Sequence, residues 1–221
     1  LRAVYISGAG SDFCSGADWV ATNNADRRPR PGELGRRIPH TANRVIELLT
    51  TIQLPVVCVV RGWAVGLGCN LALAADFTIA ADDATFWEPF VDRGFSPDSG
   101  ATWLLPRIVG LGRANELAML ARDLPAAEAL QWGLVNRVCD DGAALDTAVG
   151  LATDIAGLAG SVTAVKRAHR RTFDATLAEQ LDHEAETQGW LQQQPDFDEA
   201  TTAFAEKRSP VRSPRRPGLY S

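Results

Sequence analysis

The sequence predicts an α/β chain in which short strands alternate with helices as far as Gly100 and helices fill nearly all of the rest. Three observations carry this. Pro55–Val60 (PVVCVV) is an unbroken apolar run of the kind that forms a strand buried on both faces. Glycine-bearing turns follow strand patterns and lead into helical ones. After Gly100 the apolar spacing is helical in segments near 100–108, 112–121, 126–131, 144–158, 161–173, 175–193 and 197–207, divided by Gly, Pro and Asp. Strand–helix alternation followed by a helical last third describes an α/β core with an appended helical region. The boundary falls near residue 140, giving a core over 1–140 and a helical region over 141–221.

Element by element, Leu1–Ser7 (LRAVYIS) reads as a strand ending at Gly8-Ala9-Gly10. Thr41–Thr51 places Val45, Leu48 and Leu49 on one helical face. Gly66–Ala75 is a helix of small residues, Phe77–Ala80 a strand, and Ala84–Phe86 a short one. The chain begins with Leu inside a strand pattern. We therefore expect further strands upstream in a longer protein.

With 46% hydrophobic and 22% charged residues, the composition is that of an ordinary globular chain, and 221 residues suffice for a core without staples. Cys14, Cys58, Cys69 and Cys139 are scattered singly, with no CxxC pair, which speaks against a zinc ribbon and for a reducing, cytoplasmic setting. No apolar run approaches a membrane span, and a net charge of −5 argues against general nucleic-acid binding. The charge is uneven. Lys207, Arg208, Arg212, Arg215 and Arg216 form a basic tail without an acid, and Arg27, Arg28, Arg30, Arg36 and Arg37 form a second cluster. Solvated surface is the plain reading of both; contact with the phosphates of an anionic ligand is the sharper one.

Chemistry is concentrated in three turns. Gly8–Asp18 (GAGSDFCSGAD) exposes backbone amides around Gly16-Ala17. Arg61–Leu71 (RGWAVGLGCNL) passes from a strand through Gly66 and Gly68 into a helix, whose first N–H groups and dipole favour a negative oxygen. Taken singly, such turns are mostly steric devices. Neither is a P-loop or a dinucleotide fingerprint. Gly94–Trp103 (GFSPDSGATW) presents Asp98 on a Pro-Gly turn ahead of a helix, where a helix cap is the alternative to catalysis.

Together the three turns resemble one family, the crotonase or enoyl-CoA hydratase/isomerase superfamily. The resemblance spans the chain: residues 8–18, 55–86, 94–110, the AAEALQWGLVNRV stretch at 126–138 and AFAEKRSPV at 203–211. It implies a spiral of ββα units followed by helices that pack on neighbouring subunits, with a homotrimer or a hexamer built from trimers. It also implies a coenzyme A thioester as substrate, with no separate cofactor or metal. In that family two backbone N–H groups stabilise a thioester enolate, and by position they fall on Ala17 and Leu67. Each such donor is worth about 2.7–4 kcal/mol to the transition state.

The acid/base set departs from the hydratases. The two positions where they carry glutamates hold Asn70 and Phe90 here. Hydration needs a base for water and an acid for carbon, so ordinary hydratase activity is not expected. Glu88 lies two residues from the second position and reads as a surface or structural acid rather than a replacement. Asp98 matches instead the ring-expanding and double-bond isomerases of phenylacetyl-CoA degradation, for which one carboxylate suffices. Trp87, Phe90, Phe95 and Trp103 around it suggest an apolar setting, which strengthens a carboxylate as a base.

Enoyl-CoA isomerisation is thus the favoured activity. An atypical hydratase and a catalytically silent acyl-CoA binder remain alternatives. An aromatic dehalogenase would need a Trp at Phe90 and a His near Asn43; the sequence has neither, although His40 lies three residues from Asn43. The resemblance further implies that Cys14, Ser15, Gly16 and Asp18 line the CoA path beside Gly66 and Gly68. Phe204 and Lys207 would serve a neighbouring subunit's site.

Overall fold

The computed structural model describes residues 1–18, 30 and 32–212. The described chain is mixed α/β and divides into two compact units, one of Tyr5–Thr50 and Val56–Gly150, the other of Leu1–Val4, Thr51–Pro55 and Leu151–Ser221. Two sheets organise it. The first has the order β1 (Val4–Ser7), β2 (Val56–Val60), β4 (Phe77–Ala81) and β7 (Arg137–Cys139), with β2, β4 and β7 parallel. The second runs β3 (Trp63–Val65), β5 (Thr85–Trp87) and β6 (Leu124–Pro125), with β3 and β5 parallel and β6 antiparallel. The helices of this unit are α1 (Glu33–Arg37), α2 (Ala42–Thr51), α3 (Leu67–Ala74), α4 (Ala101–Val109), α5 (Leu111–Leu120) and α6 (Ala126–Trp132).

The strands enter the two sheets in turn. β2 joins the first, β3 the second, and α3 follows; β4 and β5 repeat the step before α4 and α5. This is the expected ββα spiral. All five residues of β2 are buried, as the unbroken apolar run requires. Asp76 fixes its start by accepting the Val56 N–H at 2.8 Å. Asn136 pins β7 to β4, accepting from the Thr78 N–H at 2.7 Å while its own N–H donates to the Thr78 carbonyl at 2.8 Å.

The helical segments fall where the sequence places them, within a few residues at their ends. β3, β6 and β7 are additions that the sequence pattern does not announce. On α2 the core residue is Ile46, whereas Val45 and Leu48 are exposed. Leu49 packs on the core beside Ile46, so the apolar stripe is turned by one position from the expected face.

The other unit is built on α8 (Ser161–Arg171), α9 (Leu177–Leu191) and α10 (Pro195–Ala205), reached through α7 (Asp141–Gly157). Buried Thr163 and Lys166 hold α8 to the 51–55 segment by donating to the carbonyls of Gln53 at 3.2 Å and Leu54 at 3.0 Å. α9 starts with a capping box, in which Thr176 and Glu179 exchange side-chain and backbone bonds.

A very close approach of backbone to backbone lies where the Cys14 segment meets α3. Cys14 pairs in parallel with Ala64, its N–H donating to the Trp63 carbonyl at 3.0 Å and its carbonyl accepting the Val65 N–H at 2.9 Å. A Cβ added to Gly68 would drive into the Cys14 carbonyl oxygen. Gly68→Ala is therefore expected to destabilise the fold by about 1–3 kcal/mol, the usual range for overpacking. Gly10→Ala, where nothing lies within 4 Å, should leave the melting temperature nearly unchanged. Thermal unfolding of the two variants checks this.

Candidate active site

The first two turns are locked together by main chain. Phe13 N–H donates to the Arg61 carbonyl at 2.8 Å, and the Asp12 carboxylate accepts the Trp63 N–H at 2.9 Å. Gly16 (φ 85°) and Gly66 (φ 51°) both take left-handed backbone that favours glycine. A Cβ on Gly16 would sit 2.7 Å from the Val65 carbonyl oxygen and 3.8 Å from the Leu67 nitrogen. The turn at Gly16-Ala17 is thus set directly against the start of α3. The Gly66 N–H donates to the Trp87 carbonyl at 2.8 Å, which ties the same turn to the end of β5. Leu67 opens the helix, and neither its N–H nor that of Ala17 is taken by an acceptor among the described residues. An unused first-turn amide at a helix start is suited to a developing negative charge.

A cavity of about 180 Å³ opens over these two amides. Its wall includes Ser15, Gly16, Ala17, Gly66, Leu67, Phe90, Asp98 and Ser99. Eight residues from three distant stretches of sequence therefore meet in one place. Asp98 is the one carboxylate among the described residues of that wall, and Phe90 and Phe95 give it aromatic neighbours. Trp87 and Trp103 do not line it: the Trp87 indole N–H donates to the Ala121 carbonyl at 2.6 Å, and the Trp103 ring carries the Arg107 guanidinium 4.0 Å from its centre.

The turn around Asp98 is tightly specified. The Ser99 hydroxyl donates to Asp98 Oδ1 at 2.7 Å, and Ser99 is buried with φ 50°, unusual for a residue with a side chain. The Asp98 carbonyl accepts from the Asn70 amide at 3.1 Å and from the Ala101 N–H at 3.0 Å. The N-cap of α4 is Gly100, with no side-chain cap. The Asp98 carboxylate is thus not spent on capping.

The remaining expected residues take other places. Asn70 is fully buried and holds the Asp98 loop rather than lining the cavity. Cys14 and Gly68 pack against each other beneath it, and Asp18 is exposed beside the wall residues. Phe204 and Lys207 belong to the other unit, where Phe204 is exposed and Lys207 has φ 54°. Of the basic cluster, Arg37 reaches the cavity wall together with Leu34, Ile38, Thr41 and Ala42. Arg27 and Arg28 lie outside the described residues.

Of the two readings the sequence leaves open for Glu88, surface or structural, the structure selects the structural one. Glu88 is completely buried, and burial pushes its carboxyl up to about 8, with Asp98 adding to the rise and the Cys69 thiol opposing it. Ser99, the α1–α2 wall and the full burial of Glu88 are the parts that sequence reasoning does not supply. Burial of an acid and a positive φ leave no local pattern.

The enoyl-CoA hydratase/isomerase family model matches residues 1–213. The 1,2-epoxyphenylacetyl-CoA isomerase of Escherichia coli K12 is 38% identical over 215 residues, covering 95% of this chain and 80% of the relative. The short-chain-enoyl-CoA hydratase of Clostridium acetobutylicum is 35% identical over 210 residues, covering 94% and 78%. The crystal structure of an enoyl-CoA hydratase from Polaromonas sp. JS666 superposes with a TM-score of 0.90 at 32% identity, covering 96% of this chain and 82% of that one. Turns, spiral and similarity over the whole chain agree, and the chain belongs to the enoyl-CoA hydratase/isomerase family.

Proposed function

We propose that the protein is an enoyl-CoA double-bond isomerase in which Asp98 is the single proton-transferring group. One observation carries this reading: the cavity wall holds Asp98 as its one described carboxylate, together with two unused backbone amides. The 38% identical relative named as an isomerase supports it. In the proposed reaction a 3-enoyl-CoA places its thioester oxygen against the Ala17 and Leu67 N–H groups. The Asp98 carboxylate removes a proton from C2, and the electron pair spreads over the dienolate to the thioester oxygen. The same carboxyl then returns the proton to C4, leaving the double bond between C2 and C3. Every atom is conserved, so no redox cofactor enters, and CoA is carried as part of the substrate. Ser99 occupies Asp98 Oδ1 and leaves Oδ2 for the substrate proton. Addition of water would need a second acid or base, and the positions that supply one in hydratases hold Asn70 and Phe90.

The reading extends to assembly. Phe173, Leu177, Leu181 and Phe204 are 58%, 75%, 54% and 87% exposed, an apolar surface that a homotrimer or a hexamer of two trimers would cover. Light scattering at micromolar concentration is expected to return a mass three or six times that of the chain. A monomer mass would refute it.

Two substitutions test the chemistry. Ala17→Pro deletes an N–H and should remove most turnover while the protein stays folded; Ala17→Gly keeps the donor and should retain activity. Asp98→Asn should lower isomerisation of a 3-enoyl-CoA by about 10²–10⁴-fold, the usual worth of a positioned acid/base. Its melting temperature should change little, because the carboxylate caps no helix. Ultraviolet detection of the conjugated thioester reads the rate. Efficient hydration of a 2-enoyl-CoA by the native enzyme would overturn the proposal.

A further inference from the structure

Glu88 follows β5 directly and lies two residues before cavity-lining Phe90, yet it does not line the cavity itself. It is completely buried, and apart from the Cys69 thiol, which opposes the rise of its carboxyl, neither oxygen has a hydrogen-bond partner. Asn70 Oδ1, on α3, is buried and equally without a partner. These three orphaned oxygens are all acceptors. The group among them that can supply a donor is Glu88, by taking up a proton. An isolated buried carboxylate is costly enough that protonation is the ordinary escape. The titratable groups acting on Glu88 are the Cys69 thiol from α3 and Asp98 from the turn before α4, and no cation is among them. The Cys69 thiol is itself pushed up by burial, with Glu88 adding to the rise, so it brings no charge near neutral pH.

We propose that Glu88 is a positioning residue acting through Asp98: held as a neutral acid behind the cavity wall, it keeps negative charge around the enolate low, and its ionisation turns the site down. The proposal rests on the role given to Asp98 above. The cavity wall beside Asp98 also carries Arg37 and Arg93, so a second carboxylate charge behind that wall adds to those of Asp98 and the enolate and offsets the pull of the two guanidiniums. With Glu88 raised to about 8, the neutral form prevails at pH 7 and is lost above pH 8.

The sign for stability follows. A carboxyl raised in the fold from its usual value of 4.5 contributes stability that is full below pH 4.5 and lost as pH climbs through about 8. Glu88→Gln keeps the shape of the neutral acid and cannot ionise. Its melting temperature should therefore gain on the wild type from pH 5 to pH 8 and hold a constant lead above that.

The experiment uses the full chain and a 3-enoyl-CoA from pH 6 to pH 10, with Glu88→Met as a second non-ionising variant should Glu88→Gln fold poorly. Wild-type kcat should fall as pH rises through about 8 and level off at the lower rate of the ionised form. In the variant that fall should be absent to within about twofold. A merely structural Glu88 predicts the same pH profile in both proteins, and that result would overturn the proposal. So would a melting-temperature difference that does not vary with pH. If neither protein isomerises at any pH, the isomerase reading fails, and the positioning role fails with it. An active enzyme with a level profile sinks the Glu88 proposal alone.

Discussion

Two stretches of backbone, one ending at Asp18 and one opening α3, run so close together that only hydrogen atoms fit between them at Gly68 and Gly16. The site depends on this contact. The paired N–H and carbonyl groups of Cys14, Trp63 and Val65 hold the stretches in parallel register, and glycines supply the clearance. With that approach fixed, the amides of Ala17 and Leu67 lie at one cavity, and the cavity has its floor. A side chain at Gly68 would separate the strands before it altered any ligand contact.

The second requirement is a carboxylate held at the same cavity by a different part of the chain. Asp98 arrives on a turn pinned from behind by Asn70 and from the side by Ser99. Asn70 stands where a hydratase of this family has a glutamate, and here its amide is turned to the loop backbone. Asn70 therefore serves here as a brace for the Asp98 turn. The Phe90 ring packs 3.6 Å from where a Gly66 Cβ would lie and forms part of the same cavity wall.

Much of this was legible in the sequence because its signals are local. The apolar run of β2, the glycines at 16, 66 and 68, and the Gly, Pro and Asp breaks between helices each dictate a conformation without help from distant residues. The strands β3, β6 and β7 are three, two and three residues long, too short for periodicity, and they exist because neighbouring strands offer partners. The face of α2 was misplaced by one position because Val45 and Ile46 are equally apolar, and only the packing of Ile46 near Gly100 distinguishes them. Glu88 is a related case: the sequence leaves a surface and a structural reading open, and only the fold chooses between them.

Ser99 has a consequence for how such a protein can change. A serine at φ 50° costs on the order of 1 kcal/mol relative to glycine, a cost met by the surrounding packing. Glycine at that position would relax the backbone and release the Asp98 carboxylate from its hydroxyl partner in the same stroke. Residue 99 therefore couples the ease of the backbone to the hold on a side chain: the exchange that relaxes the turn also frees the carboxylate beside it.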